Sequence, residues 1–326
     1  MMRGIFAGDA KDISVYAIAG QLFEKEQKDG GVLKSVLKTK MGWSRTPKVA
    51  TTTPFPENQD CELNKKAQAE KWAIWSLEGG LESLIDALKQ RLIDEGVEIV
   101  TGVEDTCDMI FEDHKCRTKN VKFVGKQFEY DFQHSFLALP AYSAAKLFKK
   151  SEYAQLQQLL SSIPYVDVAV INVEYDEKLE LSTGEAFGLL VPSSQKHVPI
   201  LGIIFDTCTF PQQLSNGAEK TVFTVMMGGK WFKDLFGNDP NPKDLEDVAL
   251  EQIKAMLKIT QPPTRVLTKI HRNCIAQYIV GHKQKVEKMR DFVKSKNIPI
   301  SLIGSAYDGV AINDAILSAR QHVNNL

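Results

Sequence analysis

The residues best suited to chemistry stand near the end of the chain. Ile300, Ser301, Leu302 and Ile303 make an apolar run, residues 304–309 make a loop with a glycine at each end, and Val310, Ala311, Ile312, Asn313 and Asp314 enter a helix at once. A helix start presents N–H groups that have no intrahelical acceptor, and it carries partial positive charge. Glycines let a ligand approach the backbone closely. Such a turn suits an anion or the electron-rich edge of a cofactor ring. An ordinary strand-to-helix turn fits the same pattern. A second stretch, Trp72-Ala73-Ile74-Trp75-Ser76-Leu77-Glu78-Gly79-Gly80-Leu81, enters a helix through a double glycine, either beside a ligand or as a tight turn among packed tryptophans. A third, Val225-Met226-Met227-Gly228-Gly229, ends a strand in adaptable, polarizable methionines. With Phe187, Leu189, Leu190 and Ile275 it lines an apolar pocket or belongs to plain core.

Acid–base chemistry leaves a fainter trace. His271 and His282 flank Asn273, Cys274 and Gln277, and His114 and His134 lie in strand-rich surroundings. No pair of carboxylates and no Ser/His/Asp set can be singled out, so no catalytic side chain is assigned. Cys107, His114 and Cys116 could ligate a metal, but no second pair stands at zinc spacing and no metal is expected. The five cysteines are odd in number and form no C-x-x-C, which argues against a disulfide framework.

Composition narrows the classes further. With 40 Lys+Arg against 41 Asp+Glu, no basic face points to nucleic acid. The basic stretch Lys283, Lys285, Lys288, Arg290, Lys294 and Lys296 is read as a solvated helix face, with a membrane surface as the alternative. No apolar run approaches the roughly 20 residues that cross a bilayer. The opening, Met1-Met2-Arg3-Gly4-Ile5-Phe6-Ala7-Gly8-Asp9, has no signal-peptide character and reads as an internal segment behind a start codon.

The elements that must hold these residues follow from periodicity. Apolar spacing predicts two helices over 10–40, split at Gly30-Gly31, and a polar loop over 44–66. Leu81, Leu84, Ile85, Leu88 and Leu92 share one face of a helix that Gly96 stops. Strands are predicted over 97–100, 121–124, 128–132 and 135–139, the middle two forming a hairpin about Gly125-Lys126. Two helices cover 141–162; strands follow over 165–175, 187–191, 200–205 and 221–227 in an antiparallel or mixed sheet. Then come a helix at 243–258, a strand at 265–271, the basic helix at 284–296, a strand at 298–303 and a helix at 310–325. The order is that of a mixed α/β (α+β) chain. No G-x-G-x-x-G occurs.

Six segments in order carry a resemblance. They are Arg3 to Asp9, Trp75 to Leu81, Phe187-Gly188-Leu189-Leu190-Val191-Pro192-Ser193-Ser194, Val225 to Gly229, Asn273-Cys274-Ile275 with Gln277-Tyr278, and Gly309 to Asp314. Together they resemble the protoporphyrinogen oxidase family of amine-oxidase-like flavoproteins over nearly the whole chain. The resemblance implies an FAD-binding domain built from separate segments, a mixed-sheet substrate domain and a helical part that rests on a membrane. It divides the chain into a membrane-facing or substrate part at 1–70, FAD-domain segments at 71–150 and 263–326, and a substrate-binding sheet at 151–262. It implies FAD as cofactor and an oxygen-dependent oxidation of protoporphyrinogen IX to protoporphyrin IX in haem biosynthesis, releasing hydrogen peroxide. The expected location is peripheral on the mitochondrial inner membrane, with O2, the membrane surface and a second copy of the chain as partners.

Residue by residue, Val310, Ala311 and Ile312 match the family's closing FAD contact, whose helix start would steady negative charge on reduced flavin. A second FAD contact falls near Thr106, where the usual valine is absent. Gly4, Phe187, Leu190, Met226 and Ile275 match residues beside the tetrapyrrole. The family's N-terminal glycine-rich motif and the arginine that pairs with a substrate propionate have no match here, so the fold is expected to be truncated and FAD to be held weakly or not at all by this chain alone. Other readings stay open. They are a non-catalytic porphyrin-binding or subunit-pairing fragment, and another flavoenzyme of the same superfamily.

Overall fold

The structure, a computed structural model, describes residues 2–31, 34, 61–72, 74–102, 108–112, 115–123, 126–181, 184–195, 197–213 and 219–326. In chain order its elements open with α1 (Met2–Phe6), α2 (Val15–Asp29), α3 (Glu62–Ala69) and α4 (Glu82–Asp94). Strands β1 (Asp108–Glu112), β2 (Lys115–Phe123), β3 (Lys126–Phe132) and β4 (Ser135–Leu137) follow, then helices α5 (Ala141–Ala145) and α6 (Ala154–Ser161). Next are β5 (Tyr165–Tyr175), β6 (Gly188–Leu190), β7 (Ile200–Phe205), α7 (Asp206–Thr209), β8 (Thr221–Gly229), α8 (Phe232–Phe236) and α9 (Pro242–Leu257). The chain closes with β9 (Arg265–Ala276), α10 (His282–Ser295), β10 (Ile300–Leu302) and α11 (Ile312–Val323).

The chain divides into two units, one of Met1–Ala17 with Ile99–Leu326 and one of Ile18–Glu98. The larger unit is organised by β5, a long inner strand of a five-stranded sheet of order β6-β7-β8-β5-β9 in which every neighbouring pair is antiparallel. Ala169, Ile171, Val173 and Tyr175 alternate onto one face of β5 and meet Phe223, Val225 and Met227 of β8. Helix α9 covers that face with Leu245, Ala249, Ile253 and Leu257, an i, i+4, i+8, i+12 stripe, all of them 2% exposed or less. A second core joins α5, α6 and α10 to the short parallel pair β4–β10. The three-stranded antiparallel sheet β1-β2-β3 completes this unit.

The smaller unit contains α3, α4 and most of α2, whose residue Ala19 leaves helical dihedrals at φ −144 and ψ 38. The helix predicted from Leu81 onward is α4, and Gly96, at φ +81, follows it in the backbone region that glycine favours.

Strands 165–175 and 200–205 fall where periodicity puts them, and β2 and β3 form the predicted hairpin. Other expectations need correction. Residues 62–66, read as polar loop, begin α3, because Glu62, Leu63, Lys65 and Lys66 are good helix formers with an acid in the first turn. Residues 97–100 form no strand, since their apolar run finds no ladder partner among the described residues. β9 runs five residues beyond the predicted end at 271, reaching Ala276 through an irregularity at Asn273, which adopts φ +46. Cys107, Thr106, His114 and most of the 44–66 segment lie outside the described residues.

Candidate functional site

A short helix decides where the candidate residues meet. Arg3 of α1 is 2% exposed. Its Nη1 donates to the Gln195 carbonyl at 2.8 Å, its Nη2 donates to the Val198 carbonyl at 2.5 Å, and its guanidinium lies 5.0 Å from the Trp231 ring centroid. These contacts draw α1 onto the loop between β6 and β7. Gly4 then faces Leu190 so closely that an added Cβ would sit 2.5 Å from Leu190 Cδ2. At the far end of α1, Ala7 packs with Val166, Val168 and Leu201, and Met226 and Ile275 pack on the same cluster. Gly228 and Gly229 make this approach feasible. Their φ values are +95 and +65, and side chains there would strike Phe232 and the Ala7 carbonyl.

The expected substrate residues therefore gather on two contacts of α1. Gly4 meets Leu190 on β6, and Met226 and Ile275 share the Ala7 cluster. Phe187, just before β6, is 56% exposed, and Leu190 is 47% exposed, so both offer apolar surface to a ligand.

The other side of α1 faces the closing loop. A cavity of about 240 Å³ is lined by Ile5 and Phe6, by Ile13 and Ala17, by Ala276, Gln277 and Tyr278, and by Gly309, Val310, Ala311 and Asp314. It thus brings Val310 and Ala311 beside α1, while Ile312, 47% exposed, starts α11 outside its lining. Gly309 takes φ +156, and a side chain there would run into Asp314. A site of this size takes part of a ring system rather than a whole dinucleotide. The lining fits the polar edge of a flavin ring, with backbone on one wall and aliphatic carbon on the other.

One expectation changes at this loop. The amides were expected to be unpaired, yet Gly309 N–H donates to Tyr278 Oη at 2.8 Å and Ala311 N–H donates to the Asp314 carboxylate at 3.3 Å. The helix start reserves part of its donor capacity for its own residues, as in many N-terminal turns.

Residues that the sequence reading did not place surround the loop. Tyr278 Oη also donates to the Ser305 carbonyl at 3.0 Å, and its ring stacks on His282 at 3.8 Å. Burial pushes the Tyr278 phenol well up, so it stays protonated. Arg290 Nη2 reaches both carboxylate oxygens of Asp308 at 2.8 Å, and Ser318 Oγ donates to the same carboxylate. On the sheet, Asn172 donates to Thr224, which donates to Asp206, and burial raises that carboxyl. Of the four histidines read as proton-transfer candidates, His271 is exposed, His134 contacts Ser301 Oγ at 2.9 Å and His282 is buried under Tyr278. Trp72 and Trp75 are exposed, and Gly79 and Gly80 take φ +82 and +85. No group of three or more metal-ligating side chains is placed to hold an ion among the described residues.

Known proteins give this geometry a context. The family described as flavin containing amine oxidoreductase matches residues 1–326. Protoporphyrinogen oxidase of Macaca fascicularis is 36% identical over 98% of this chain and 63% of its own length. The human protoporphyrinogen oxidase is 35% identical over the same shares. The chain thus spans less than two thirds of these relatives. A crystal structure from Exiguobacterium sp. 255-15, provisionally assigned as a protoporphyrinogen oxidase, has the same fold, with a TM-score of 0.70, 22% identity, and coverage of 99% of this chain and 61% of that one.

Proposed function

The chain belongs to the flavin containing amine oxidoreductase family, and from that premise we propose that it serves the FAD-dependent, oxygen-dependent oxidation of protoporphyrinogen IX to protoporphyrin IX in haem biosynthesis. The observation that carries the reading is that α1 belongs to both halves of such a site. Ile5 and Phe6 line the cavity closed by Gly309, Val310 and Ala311, while Gly4 abuts Leu190 and Ala7 joins the Met226–Ile275 cluster.

Bound FAD would supply the redox chemistry of the reaction, a two-electron acceptor for the macrocycle with O2 as the final acceptor. The chain's own residues orient and desolvate. The Val310 and Ala311 backbone would meet the polar edge of the ring, with Ile312 opening the helix behind it. Phe187, Leu190, Met226 and Ile275 would cover the flat faces of the tetrapyrrole and keep water out. Gly4 leaves room that any side chain would remove. Each two-electron oxidation also releases a proton, for which the sequence singles out no acceptor.

The same reading extends to the setting of the reaction. It includes a peripheral place on the mitochondrial inner membrane for the helical part at 1–70, and pairing with a second copy. Among the described residues no helix is long and apolar enough to cross a membrane.

The test uses the purified chain in excess FAD. Flavin fluorescence should fall on binding, and protoporphyrinogen IX in air should then yield porphyrin fluorescence faster than coproporphyrinogen III. Unchanged flavin fluorescence refutes FAD binding by this chain alone, and flavin binding with equal turnover of both substrates refutes the substrate assignment.

A further inference from the structure

Gln277 and Tyr278 are adjacent in sequence, yet their polar groups go to opposite walls of the cavity. Gln277, 7% exposed, donates from Nε2 to the Phe6 carbonyl at 3.0 Å, and its own amide donates to the Pro164 carbonyl at 2.8 Å. It therefore pins the end of α1 to the end of β9. Gly8 is the next point of contact, since a side chain there would strike Gln277 Oε1. Tyr278 turns to the other wall. Its hydroxyl accepts from Gly309 N–H at 2.8 Å and donates to the Ser305 carbonyl at 3.0 Å. One side chain thereby closes the 304–309 loop across its two ends. The Tyr278 carbonyl accepts from Ser14 N–H at 2.8 Å, and Val280 N–H donates to the Asp12 carbonyl at 2.9 Å, so the backbone of the pair also secures the turn before α2.

We propose that Gln277 and Tyr278 form a positioning pair that fixes the substrate-side wall, α1, and the cofactor-side wall, the 304–311 backbone, relative to each other. The inference rests on the flavin reading for what the cavity holds, though the pair's mechanical role can be read without ligand. Neither residue supplies chemistry. Each hydrogen bond is worth on the order of 1 kcal/mol, but these bonds bridge segments about 270 residues apart in sequence for Gln277 and about 30 for Tyr278. Arg3 and Ala7 hold α1 to the sheet on its other side, and Gln277 adds the tie from α1 to the end of β9. The far side of the loop is tied independently through Asp308 to Arg290 and Ser318. Losing Tyr278 should therefore loosen the cavity-facing edge and leave the rest of the loop in place.

Two variants test the pair separately. Tyr278→Phe keeps the ring that stacks on His282 and removes both loop bonds. Gln277→Met keeps the volume and removes the bond to Phe6. In the ligand-free chain, amide hydrogen exchange should quicken about tenfold at 309–312 in the first variant and at 6–9 in the second, with 165–175 unchanged as reference. FAD titration should show about a tenfold weaker affinity in both, with a shifted absorption band of the bound flavin, at a melting temperature lowered by no more than a few degrees. Exchange that stays as in the parent chain in both variants overturns the proposal, and so does loosened exchange with unaltered flavin affinity and spectrum. If the parent chain by itself binds no flavin, the exchange data alone decide whether the pair holds the walls.

Discussion

His282 shows how burial changes what a residue type means. Its ring is 5% exposed, stacks on Tyr278 and directs Nε2 at the Tyr307 carbonyl, 3.3 Å away. Desolvation pulls its pKa below the ordinary histidine value, and the carbonyl opposes this only in part. The unfolded chain thus takes up this proton at a higher pH than the folded one. The stability tied to the neutral ring is complete above about pH 6.5 and is lost as pH falls through the folded value. Melting curves between about pH 7.5 and about pH 5 should show a larger loss for the parent chain than for His282→Gln. A parallel loss in both would assign the acid sensitivity elsewhere. In the sequence, His282 is one of several histidines near Asn273 and Gln277, and nothing local separates it from exposed His271. What separates them is the fold: Gly281 turns His282 under Tyr278 at the start of α10, whereas His271 points outward from an edge strand.

At the scale of elements, start and stop signals were legible where they are local. Asn241 accepts from Lys243 N–H at 2.9 Å with Pro242 at the first helical position, and Lys258 in the left-handed region ends α9. Asn241→Ala should cost about 1 kcal/mol in urea unfolding, since the cap is exposed and only the orphaned amide is affected. A cost near zero would mean that water replaces the cap. The element that matters most for the site gave no such signal. α1 is five residues long, and its place depends on Arg3 reaching the carbonyls of residues 195 and 198 and on Gly228-Gly229 leaving space beside Ala7. The sequence singled out the glycine pair at 79–80 as a place for a ligand or a tight turn, and the 225–229 segment for its methionines. At 228–229 the room is filled by the chain's own α1.

For the whole molecule, the three apolar clusters draw on Ala7 and on residues from 109 onward, and among the described residues no buried member comes from Ile18–Glu98. The larger unit should therefore fold without the smaller one. Replacing 18–98 by a flexible linker is expected to leave a single cooperative unfolding transition with β5 amides still protected. Loss of cooperativity would show that the smaller unit contributes to the core.

The sequence by itself determined strands such as 165–175 and 200–205, the helix that follows residue 241 and the glycine-flanked turn into α11, because periodicity and backbone freedom act over a few residues. The same local signals carried the resemblance to a flavoprotein family. Only the tertiary structure decided that residues 190, 226, 275 and 310 gather around the short helix that carries Gly4, and that Tyr278 and Asp314 take up amides at the closing turn. Those contacts join segments separated by tens to hundreds of residues, and their energy comes from burial and paired donors that exist only once the chain has closed on itself.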